Sequence, residues 1–374
     1  MKKPSYALLF FLTLVVFGSA IFIKPQKKIS EREQRSLNQF PAVTLQALSD
    51  GSLQEKAEKA LADQFVLRDG FVKLQRYVQT ALGIRNLNQV WIGKNQLYQD
   101  SASVDQSSMK KLSEALNAFA LKNKQLRFDF LLVPTASGVL ENAVISSLYQ
   151  EQRSNIRSFQ KQLDAPYHTL DTLTIMDRYK EDYIYYRGDH HWTTLGAYSM
   201  FREWQKQRGL KDSVSYEPIT VNNAFYGTLA NASGIDISDT IEIYKPAANK
   251  VQTIVTYVRE QKRTTSVYDQ TKQYGSNPYE IFLGGNFERI DILTTAENER
   301  SLLLIKDSYA NCFVPFLLPH YHKIIVIDPR YYYDSLQAII QEEKISDVMF
   351  LMNVETMLHD TSLVSLMQEE LYAK

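Results

Sequence analysis

The stretch that decides the fold is Ser301–Ile305, an almost continuous apolar run with the sequence SLLLI. Two comparable runs follow at His322–Ile327 and Val348–Met352, and segments with helical periodicity separate the three. Runs that are apolar on both faces are typical of strands buried inside a parallel sheet. Because strands and helices alternate, the sequence predicts an α/β domain with three layers and a mostly parallel sheet.

The same alternation of strand and helix begins earlier in the chain. Leu126–Val133 is predicted to be a strand that ends at Pro134, because proline cannot continue a central strand. Helices are predicted on either side of it, over Ser107–Asn123 and Asn142–Leu163, with a further strand near Tyr167–Leu170. The α/β pattern therefore covers both halves of the chain.

Three parts of the chain differ in their sequence pattern. Residues 1–28 are predicted to be a signal anchor or a signal peptide, and residues 29–86 a charged linker followed by a small helical preface. Residues 87–374 form the predicted α/β domain. Within it, Val251–Gln273 is rich in Thr, Val and Tyr, which favours a β insertion that covers one edge of the sheet.

The amino terminus carries a long uncharged run. Lys2 and Lys3 precede residues Tyr6–Ile23, which contain no charged side chain, and Lys24 follows. At a rise of ~1.5 Å per residue, a helix of this length just crosses a bilayer. We therefore favour an uncleaved membrane anchor with the rest of the chain outside the cytoplasm. Cleavage after Gly18–Ala20, which would release a secreted protein, and a buried core helix are the alternatives.

Composition and charge narrow the classes of function. The chain has 374 residues, with 42 Lys and Arg against 42 Asp and Glu. A neutral chain lacks the attraction that sequence-independent nucleic-acid binding requires, so we expect no nucleic-acid partner. The single cysteine, Cys312, has no partner for an intramolecular disulfide. The 23 tyrosines suit a surface that faces sugars, and they also suit half-buried strands.

Two of the six histidines stand next to a carboxylate in Gly188–Trp192, just before a predicted helix. Residues two apart converge in an extended or turned backbone. Asp189 can therefore hold one ring nitrogen of His191 and leave the other nitrogen as a base, with His190 pointing elsewhere. Two other interpretations stay open. The histidines can satisfy buried backbone groups, or they can bind zinc, although no spacing such as H-E-x-x-H supplies a further ligand.

A serine follows the apolar run Ser301–Ile305. Ser308 comes shortly after Ile305, which places it at the carboxyl end of an inner strand, where open α/β sheets bind ligands. The start of a helix there favours a developing anion, although an N-capping serine is the plainer interpretation. Cys312, one predicted helical turn later, is interpreted as a buried apolar side chain. Together with the Asp-x-His pair, the serine completes the residue types that acyl transfer needs.

Asp189–Trp192 are the residues after which the DHHW family of bacterial proteins is named, and the chain resembles that family. The family in turn is similar to the exported alginate O-acetyltransferase group of SGNH-type hydrolases. Four other segments also resemble that group: Ser30–Arg35, Asp63–Asp69, Val133–Thr135 and Lys306–Tyr309. The resemblance covers most of the chain after the amino-terminal run and implies an SGNH-hydrolase-like α/β domain.

The resemblance also implies a catalytic triad. In it Ser308 is the nucleophile, His191 the base, and Asp189 the residue that fixes the imidazole tautomer. The serine comes last in the chain, which is opposite to ordinary SGNH hydrolases and is similar to the alginate acetyltransferase group. Such a triad requires no metal and no cofactor.

Four more residues are candidates for binding the oxyanion or the substrate. Arg330 and Asn353 each follow one of two neighbouring predicted strands, although strand-end loops are polar in any α/β fold. Gly227 resembles a turn glycine near the site of the same group, with an ordinary turn glycine as the alternative. Tyr309 directly follows the nucleophile and either contributes to the site or packs.

These expectations combine into one function with one rival. The resemblance implies an extracytoplasmic O-acetyltransferase or acetylesterase that acts on a cell-surface polysaccharide, and the triad alone does not separate the two. For a transferase it further implies a multispanning membrane acyltransferase as the partner that supplies the acetyl donor. The rival is a catalytically silent polysaccharide-binding or scaffold component of an export machine.

Overall fold

The computed structural model describes residues 4–30, 35–164, 166–211, 214–248 and 251–372. Part of one segment that carries the family resemblance, residues 31–34 of Ser30–Arg35, lies outside the described residues. Within the described chain, two compact units separate: Met1–Arg85 with Ala230–Asp236, and Asn86–Leu229 with Ile237–Lys374.

The strands follow in chain order. They are β1 (Ile29–Ser30), β2 (Arg35–Ser36), β3 (Val90–Ile92), β4 (Leu97–Gln99), β5 (Arg127–Val133), β6 (Tyr167–Thr169), β7 (Tyr216–Phe225), β8 (Asp239–Pro246), β9 (Thr253–Tyr257), β10 (Lys262–Thr264), β11 (Arg289–Thr294), β12 (Ser301–Lys306), β13 (Lys323–Ile327) and β14 (Asp347–Asn353).

The helices are α-helices and short 3-10 turns. The α-helices are α1 (Pro4–Ile23), α2 (Leu45–Ser49), α3 (Ser52–Gln64), α4 (Arg68–Ala81), α5 (Gln106–Lys122), α6 (Ala136–Val139), α7 (Ser146–Gln160), α8 (Thr172–Arg178), α9 (Thr194–Gln207), α10 (Thr228–Ser233), α11 (Val314–Leu317), α12 (Leu336–Glu342), α13 (Val354–His359) and α14 (Ser362–Tyr372). The 3-10 turns are Ala143–Ile145, Gln270–Lys272, Pro278–Ile281, Ser308–Cys312 and Leu318–His320.

A central sheet organises the larger unit. Its strand order is β10-β9-β11-β13-β12-β14-β5-β6. The five strands from β13 to β6 are parallel to one another, whereas β9, β10 and β11 pair antiparallel. The predicted mixed α/β class with a central sheet is confirmed.

The apolar run of β12 explains why it lies inside this sheet. Every residue of the strand is buried. Leu302 and Leu304 belong to one hydrophobic core, while Leu303 and Ile305 belong to another. Because successive side chains of a strand point to opposite faces, the sheet separates two cores. The first core includes residues of α9, and the second includes residues of α5, α12 and α14.

The sequence of residues 251–273 predicts a β insertion that covers one edge of the sheet, whereas the structure makes them part of that edge. Strand β9 pairs with β11, and β10 pairs with β9, so this segment is the antiparallel edge of the sheet itself. The antiparallel hairpin of β7 and β8 lies outside the central sheet, and the sequence pattern predicts neither that hairpin nor β11. Thr- and Val-rich segments predict strands but not their neighbours, because pairing depends on distant residues.

The smaller unit contains α1 to α4. The backbone and side-chain amides of Asn38 both donate to Oδ2 of the buried Asp63, at 2.8 and 2.7 Å. These bonds connect the segment between β2 and α2 to α3. A helix covers the uncharged amino-terminal run, but over the described residues we find no helix with the length and hydropathy needed to cross a bilayer. The membrane anchor stays a prediction.

Candidate active site

The Asp189–His191 pair meets a serine 117 residues later in the sequence, and the three residues form one chain of hydrogen bonds. Nδ1 of His191 lies 2.6 Å from Oδ1 of Asp189, and its Nε2 lies 2.8 Å from Oγ of Ser308. Asp189 and His191 are buried, whereas Ser308 is partly exposed. An imidazole held between a carboxylate and a hydroxyl can take the hydroxyl proton and leave a nucleophilic oxygen.

The Asp189 carboxylate is held by four donors. Oδ1 also accepts the backbone N–H of His191 at 2.9 Å, and Oδ2 accepts the backbone N–H and the hydroxyl of Thr228 at 2.8 and 3.0 Å. Burial by itself would raise the pKa of Asp189. The His190 and His191 imidazoles and these hydrogen bonds outweigh it and hold the pKa well below its ordinary value, so the carboxylate is ionised. Neither Thr228 nor its role is visible in the sequence pattern.

Gly227 lies against the same carboxylate. A Cβ atom at this position would come within 2.2 Å of Cβ of Asp189 and 2.7 Å of its Oδ2. Only a residue without a side chain therefore lets the Gly227–Thr228 segment approach and donate its hydrogen bonds. The structure gives Gly227 a packing role beside Asp189, which differs from both an ordinary turn glycine and a substrate-binding residue.

Trp192, which follows His191, and Tyr309, which follows Ser308, connect the two segments by hydrogen bonds. Nε1 of Trp192 donates to the carbonyl oxygen of Tyr309 at 2.8 Å, and the Tyr309 hydroxyl donates to the carbonyl oxygen of His190. Trp192 and Tyr309 are fully buried. The Gly188–Trp192 loop is thus fixed to the segment that carries the nucleophile, and Tyr309 packs and braces instead of facing a substrate.

The His191 ring lies between two other rings. Tyr279 stacks on one side, with ring centroids 3.9 Å apart and an interplanar angle of 17°, and the His190 ring lies 3.8 Å away at 38°. The Tyr279 hydroxyl donates to the carbonyl oxygen of Ser308 at 3.1 Å. Sequence reasoning missed Tyr279, because it lies in a 3-10 turn with no distinguishing motif.

Ser308 begins a short 3-10 helix, not the regular helix that the sequence predicts. This turn covers Ser308–Cys312, and Asp307 caps it by accepting the N–H of Tyr309 at 2.9 Å. A turn this short provides little helix dipole, so the predicted stabilisation of an anion by a helix end does not apply. Cys312 is fully buried, and burial raises the pKa of its thiol to about 12, which agrees with an apolar role.

The side-chain amide of Asn353 is fully engaged within the fold. Oδ1 accepts the backbone N–H groups of Glu355 and Thr356 at 2.9 and 3.0 Å, so it caps α13. Nδ2 donates to Asp307 and to the Thr356 hydroxyl. With both donors and both acceptor positions in use, this buried amide has no hydrogen left for an oxyanion. A strand end was correctly identified, but the side chain supports the backbone there.

Arg330 belongs to a cluster of buried charges at the same edge of the sheet. Its Nε and Nη2 donate to the two oxygens of Asp328 at 2.9 and 2.7 Å. Lys306, which is fully buried, donates to Asp328 at 3.2 Å. Burial lowers the pKa of Lys306, and the Asp328 charge opposes that effect. Lys306 and Arg330 thus share the Asp328 carboxylate. Arg330 stays a candidate for binding the oxyanion or the substrate through the guanidinium nitrogen that Asp328 does not bind.

Asn286 is a candidate that sequence reasoning missed. Its Oδ1 accepts hydrogen bonds from Nζ of Lys306 at 2.9 Å and from Nδ2 of Asn311 at 3.1 Å. The residue is exposed, and among the described residues its Nδ2 has no hydrogen-bond partner. The glycines at 284 and 285, both with positive φ, mark this loop in the sequence as a tight turn.

Asp189, His190 and His191 also lie close enough to offer atoms to a metal ion. One potential ligand atom from each lies within 4.8 Å of the others. Both oxygens of Asp189 already accept two hydrogen bonds each, and Nδ1 of His190 lies 2.7 Å from the Thr228 hydroxyl. The donor groups of the chain itself occupy these atoms, so the arrangement favours a hydrogen-bond network over a metal site.

We predict that Gly227→Ala breaks the contact between Asp189 and His191, because the new Cβ must displace Asp189. The downfield proton NMR signal of the His191 Nδ1–H should disappear. Gly275→Ala is the control, because its nearest neighbour is 3.4 Å from the added Cβ, an ordinary contact. An unchanged signal in Gly227→Ala would show that the loop moves aside without cost.

Comparison with known proteins supports the resemblance. A sequence profile of the DHHW protein family matches residues 87–327. No curated protein matches the chain. Among solved structures, a DHHW family protein from Eubacterium siraeum has 23% sequence identity and a TM-score of 0.64, covering 77% of this chain and 97% of that chain.

Two further solved structures are similar. Bacillus cereus PatB1, solved with a sulfonyl adduct, has 20% identity and a TM-score of 0.59, covering 73% of this chain and 96% of its own. The O-acetyltransferase domain of Pseudomonas putida AlgJ has 13% identity and a TM-score of 0.46, covering 75% of this chain and 99% of that chain. At 23% and 20% identity, the likeness to the DHHW family protein and to PatB1 concerns the fold. Because the profile spans more than half of the sequence, the chain belongs to the DHHW protein family.

Proposed function

We propose that this chain is an O-acetyltransferase or acetylesterase that acts on a polysaccharide through Ser308, His191 and Asp189. One observation carries the proposal, the continuous hydrogen-bond chain from Asp189 through His191 to the Ser308 hydroxyl. A buried carboxylate, an imidazole with one defined tautomer and a partly exposed serine are what acyl transfer through an ester intermediate needs.

In the first step Ser308 takes the acetyl group. His191 Nε2 removes the Ser308 proton as Oγ attacks the acetyl carbonyl carbon. The tetrahedral intermediate collapses when the bond to the departing oxygen breaks and His191 returns the proton to that oxygen. Asp189 stays ionised throughout and stabilises the imidazolium between the two proton transfers.

In the second step the acetyl group leaves Ser308. His191 removes a proton from a sugar hydroxyl in the transferase reaction, or from water in the esterase reaction, and that oxygen attacks the acetyl carbon. When the bond to Oγ breaks, His191 gives the proton back to Ser308. The same residues serve both reactions, so the choice between them depends on which hydroxyl reaches His191.

The oxyanion of both intermediates needs hydrogen-bond donors. We propose the backbone N–H of Ser308, which begins the 3-10 helix and has no partner within it, and Nδ2 of Asn286. Lys306 and Asn311 hold the oxygen of that amide, so its hydrogens are turned away from them. Arg330 is the remaining candidate for this role or for substrate binding, because Asp328 leaves one guanidinium nitrogen unused.

Location and partners extend the proposal. We place the chain outside the cytoplasm, held at the membrane by its amino-terminal run or secreted, with a cell-surface polysaccharide as the acceptor. A transferase in that place has no cytoplasmic acetyl donor, so a multispanning membrane acyltransferase would deliver the group. The exposed apolar side chains of α1, such as Leu8 and Val15, support an apolar surrounding for this segment.

Protease that reaches the outer face of the cytoplasmic membrane, as in spheroplasts, should digest the chain after Lys28 if this location is correct. Spheroplasts opened by detergent give the reference for complete digestion. Protection in closed spheroplasts, with digestion after detergent, would place the chain in the cytoplasm.

Ser308→Ala should lower turnover of a chromogenic acetyl ester by roughly 10³-fold or more, because the variant lacks the hydroxyl that gives its proton to His191 and attacks the acetyl carbon. It should also abolish covalent labelling by a sulfonyl fluoride, while circular dichroism and thermal unfolding stay unchanged. Ser154→Ala, an exposed serine on α7, is the matched control. Full activity of Ser308→Ala would reject the proposed enzyme. An inactive wild-type chain that still binds polysaccharide would favour the scaffold protein.

Asn286→Ala should lower kcat by ~10²–10³-fold with little change in KM, because an oxyanion donor acts in the transition state. Asn353→Ala should instead lower the free energy of unfolding by about 1 kcal/mol or more, since it removes a helix cap and a buried hydrogen bond. Ester turnover at saturating substrate and urea unfolding separate the two effects. Equal loss of kcat in both variants, without loss of stability, would return the oxyanion role to Asn353.

A further inference from the structure

His190 is the residue of the Asp189–Trp192 motif that the proposed reaction does not use. Its Nδ1 lies 2.7 Å from the hydroxyl of Thr228, and its ring lies against the His191 ring with centroids 3.8 Å apart. The side chain is 27% exposed. Among the described residues, its Nε2 has no hydrogen-bond partner.

Thr228 decides where the proton of His190 lies. Its hydroxyl has one hydrogen, which it donates to Oδ2 of Asp189 at 3.0 Å, because an ionised carboxylate can only accept. Toward His190 the same oxygen can therefore only accept, so Nδ1 of His190 carries the proton and Nε2 carries a lone pair. Burial and the neighbouring His191 lower the pKa of His190 to about 4, which keeps the ring neutral near pH 7.

The direction of the two rings follows from their partners. Nδ1 of His191 faces Asp189, and Nδ1 of His190 faces Thr228, whose hydroxyl is bonded to the same carboxylate. Since Nδ1 and Nε2 lie on opposite sides of an imidazole, both Nε2 atoms point away from Asp189. For His191 that direction leads to Ser308, whose Oγ lies 2.8 Å from its Nε2.

The lone pair on Nε2 of His190 determines which kind of ligand group this nitrogen can bind. A neutral imidazole nitrogen without hydrogen can only accept a hydrogen bond. The acetyl carbonyl and the oxyanion have no hydrogen to give, whereas a sugar hydroxyl has one. His190 therefore suits the hydroxyl-bearing substrate that receives the acetyl group, and not the acetyl group itself.

We propose that Nε2 of His190 binds a second hydroxyl of the receiving sugar, next to the hydroxyl that His191 deprotonates, so that the site selects a carbohydrate diol. This inference rests on the proposed function. Neighbouring hydroxyl oxygens of a sugar lie roughly as far apart as a hydrogen-bonded oxygen pair, ~2.8 Å. The two imidazole rings lie 3.8 Å apart at 38°, each with Nδ1 turned toward the Asp189 side, so their Nε2 atoms offer two acceptor positions to such a pair.

The transfer step balances with His190 as a binding residue only. The reacting hydroxyl loses its proton to His191 as its oxygen bonds to the acetyl carbon, and the bond from that carbon to Oγ of Ser308 breaks. His191 passes the proton to Oγ. The second hydroxyl keeps its hydrogen, and His190 gains and loses none.

The test measures how the acetyl-enzyme divides between two alcohols that differ by one hydroxyl, 1,2-cyclohexanediol and cyclohexanol. A chromogenic acetyl ester forms the acetyl-enzyme, and the acetylated products are counted by mass spectrometry. The diol has two hydroxyls that can react, so chance alone gives about 2-fold. One hydrogen bond of ~1 kcal/mol adds a factor of roughly 5, so we expect the wild-type chain to prefer the diol by about 10-fold.

His190→Phe keeps a ring against His191 but removes the acceptor atom. We expect the preference to fall to the chance value with a higher KM for the diol, and this loss to exceed any loss in the burst of acetyl-enzyme. His190→Gln, which returns an acceptor atom, should recover part of the preference. His322→Phe makes the same change at an exposed histidine before β13 and should alter neither quantity.

Three outcomes would overturn the inference. One is a preserved preference in His190→Phe, and another is a wild-type chain with no preference between the alcohols. The third is an equal loss of acetyl-enzyme formation and transfer in both His190 variants, which would make the ring a support for His191. A wild-type chain that never forms acetyl-enzyme would reject the proposed function itself. The burst of released chromophore detects this result without any alcohol present.

Discussion

The site depends on one buried negative charge, the carboxylate of Asp189. An ionised carboxylate that is 2% exposed is costly unless donors surround it, and this fold supplies four of them from two segments. Two donors come from His191 and fix the plane and tautomer of its ring. The other two come from Thr228, which can reach the carboxylate only because Gly227 has no side chain. The hydrogen bonds that satisfy the Asp189 carboxylate therefore also fix the orientation of the His191 ring.

A second requirement is that the nucleophile stays in register with that base. Ser308 and His191 belong to segments that are far apart in the sequence, and a small relative shift would lengthen their 2.8 Å contact. Trp192 and Tyr309, whose side chains are fully buried, prevent such a shift with two hydrogen bonds between these segments. Trp192 directly follows His191, and Tyr309 directly follows Ser308. Each motif therefore includes a residue that positions the reacting group next to it.

The sequence predicts those features that depend on local pattern. Strand β12 is identifiable because burial on both faces leaves an uninterrupted apolar run, and the Asp-x-His pair because two residues suffice to make the contact. Tyr279 and Asn286 are not identifiable, since each reaches the site through tertiary packing that no spacing encodes. Asn353 lies between these cases. The strand-end rule gave its location, but the direction of its amide depends on the capping needs of α13.

Two buried charges near Ser308, those of Asp189 and Lys306, determine which atoms of their neighbours donate and which accept hydrogen bonds. Asp189 can only accept hydrogen bonds, so Thr228 must donate to it, and His190 must turn a lone pair outward. Lys306 can only donate, so the Asn286 atom that faces it is the oxygen, and the amide hydrogens turn outward. An anion thereby creates an acceptor beside the base, and a cation creates a donor near the nucleophile. Acyl transfer to a sugar needs this pairing, because the receiving hydroxyl offers hydrogen whereas the oxyanion requires it.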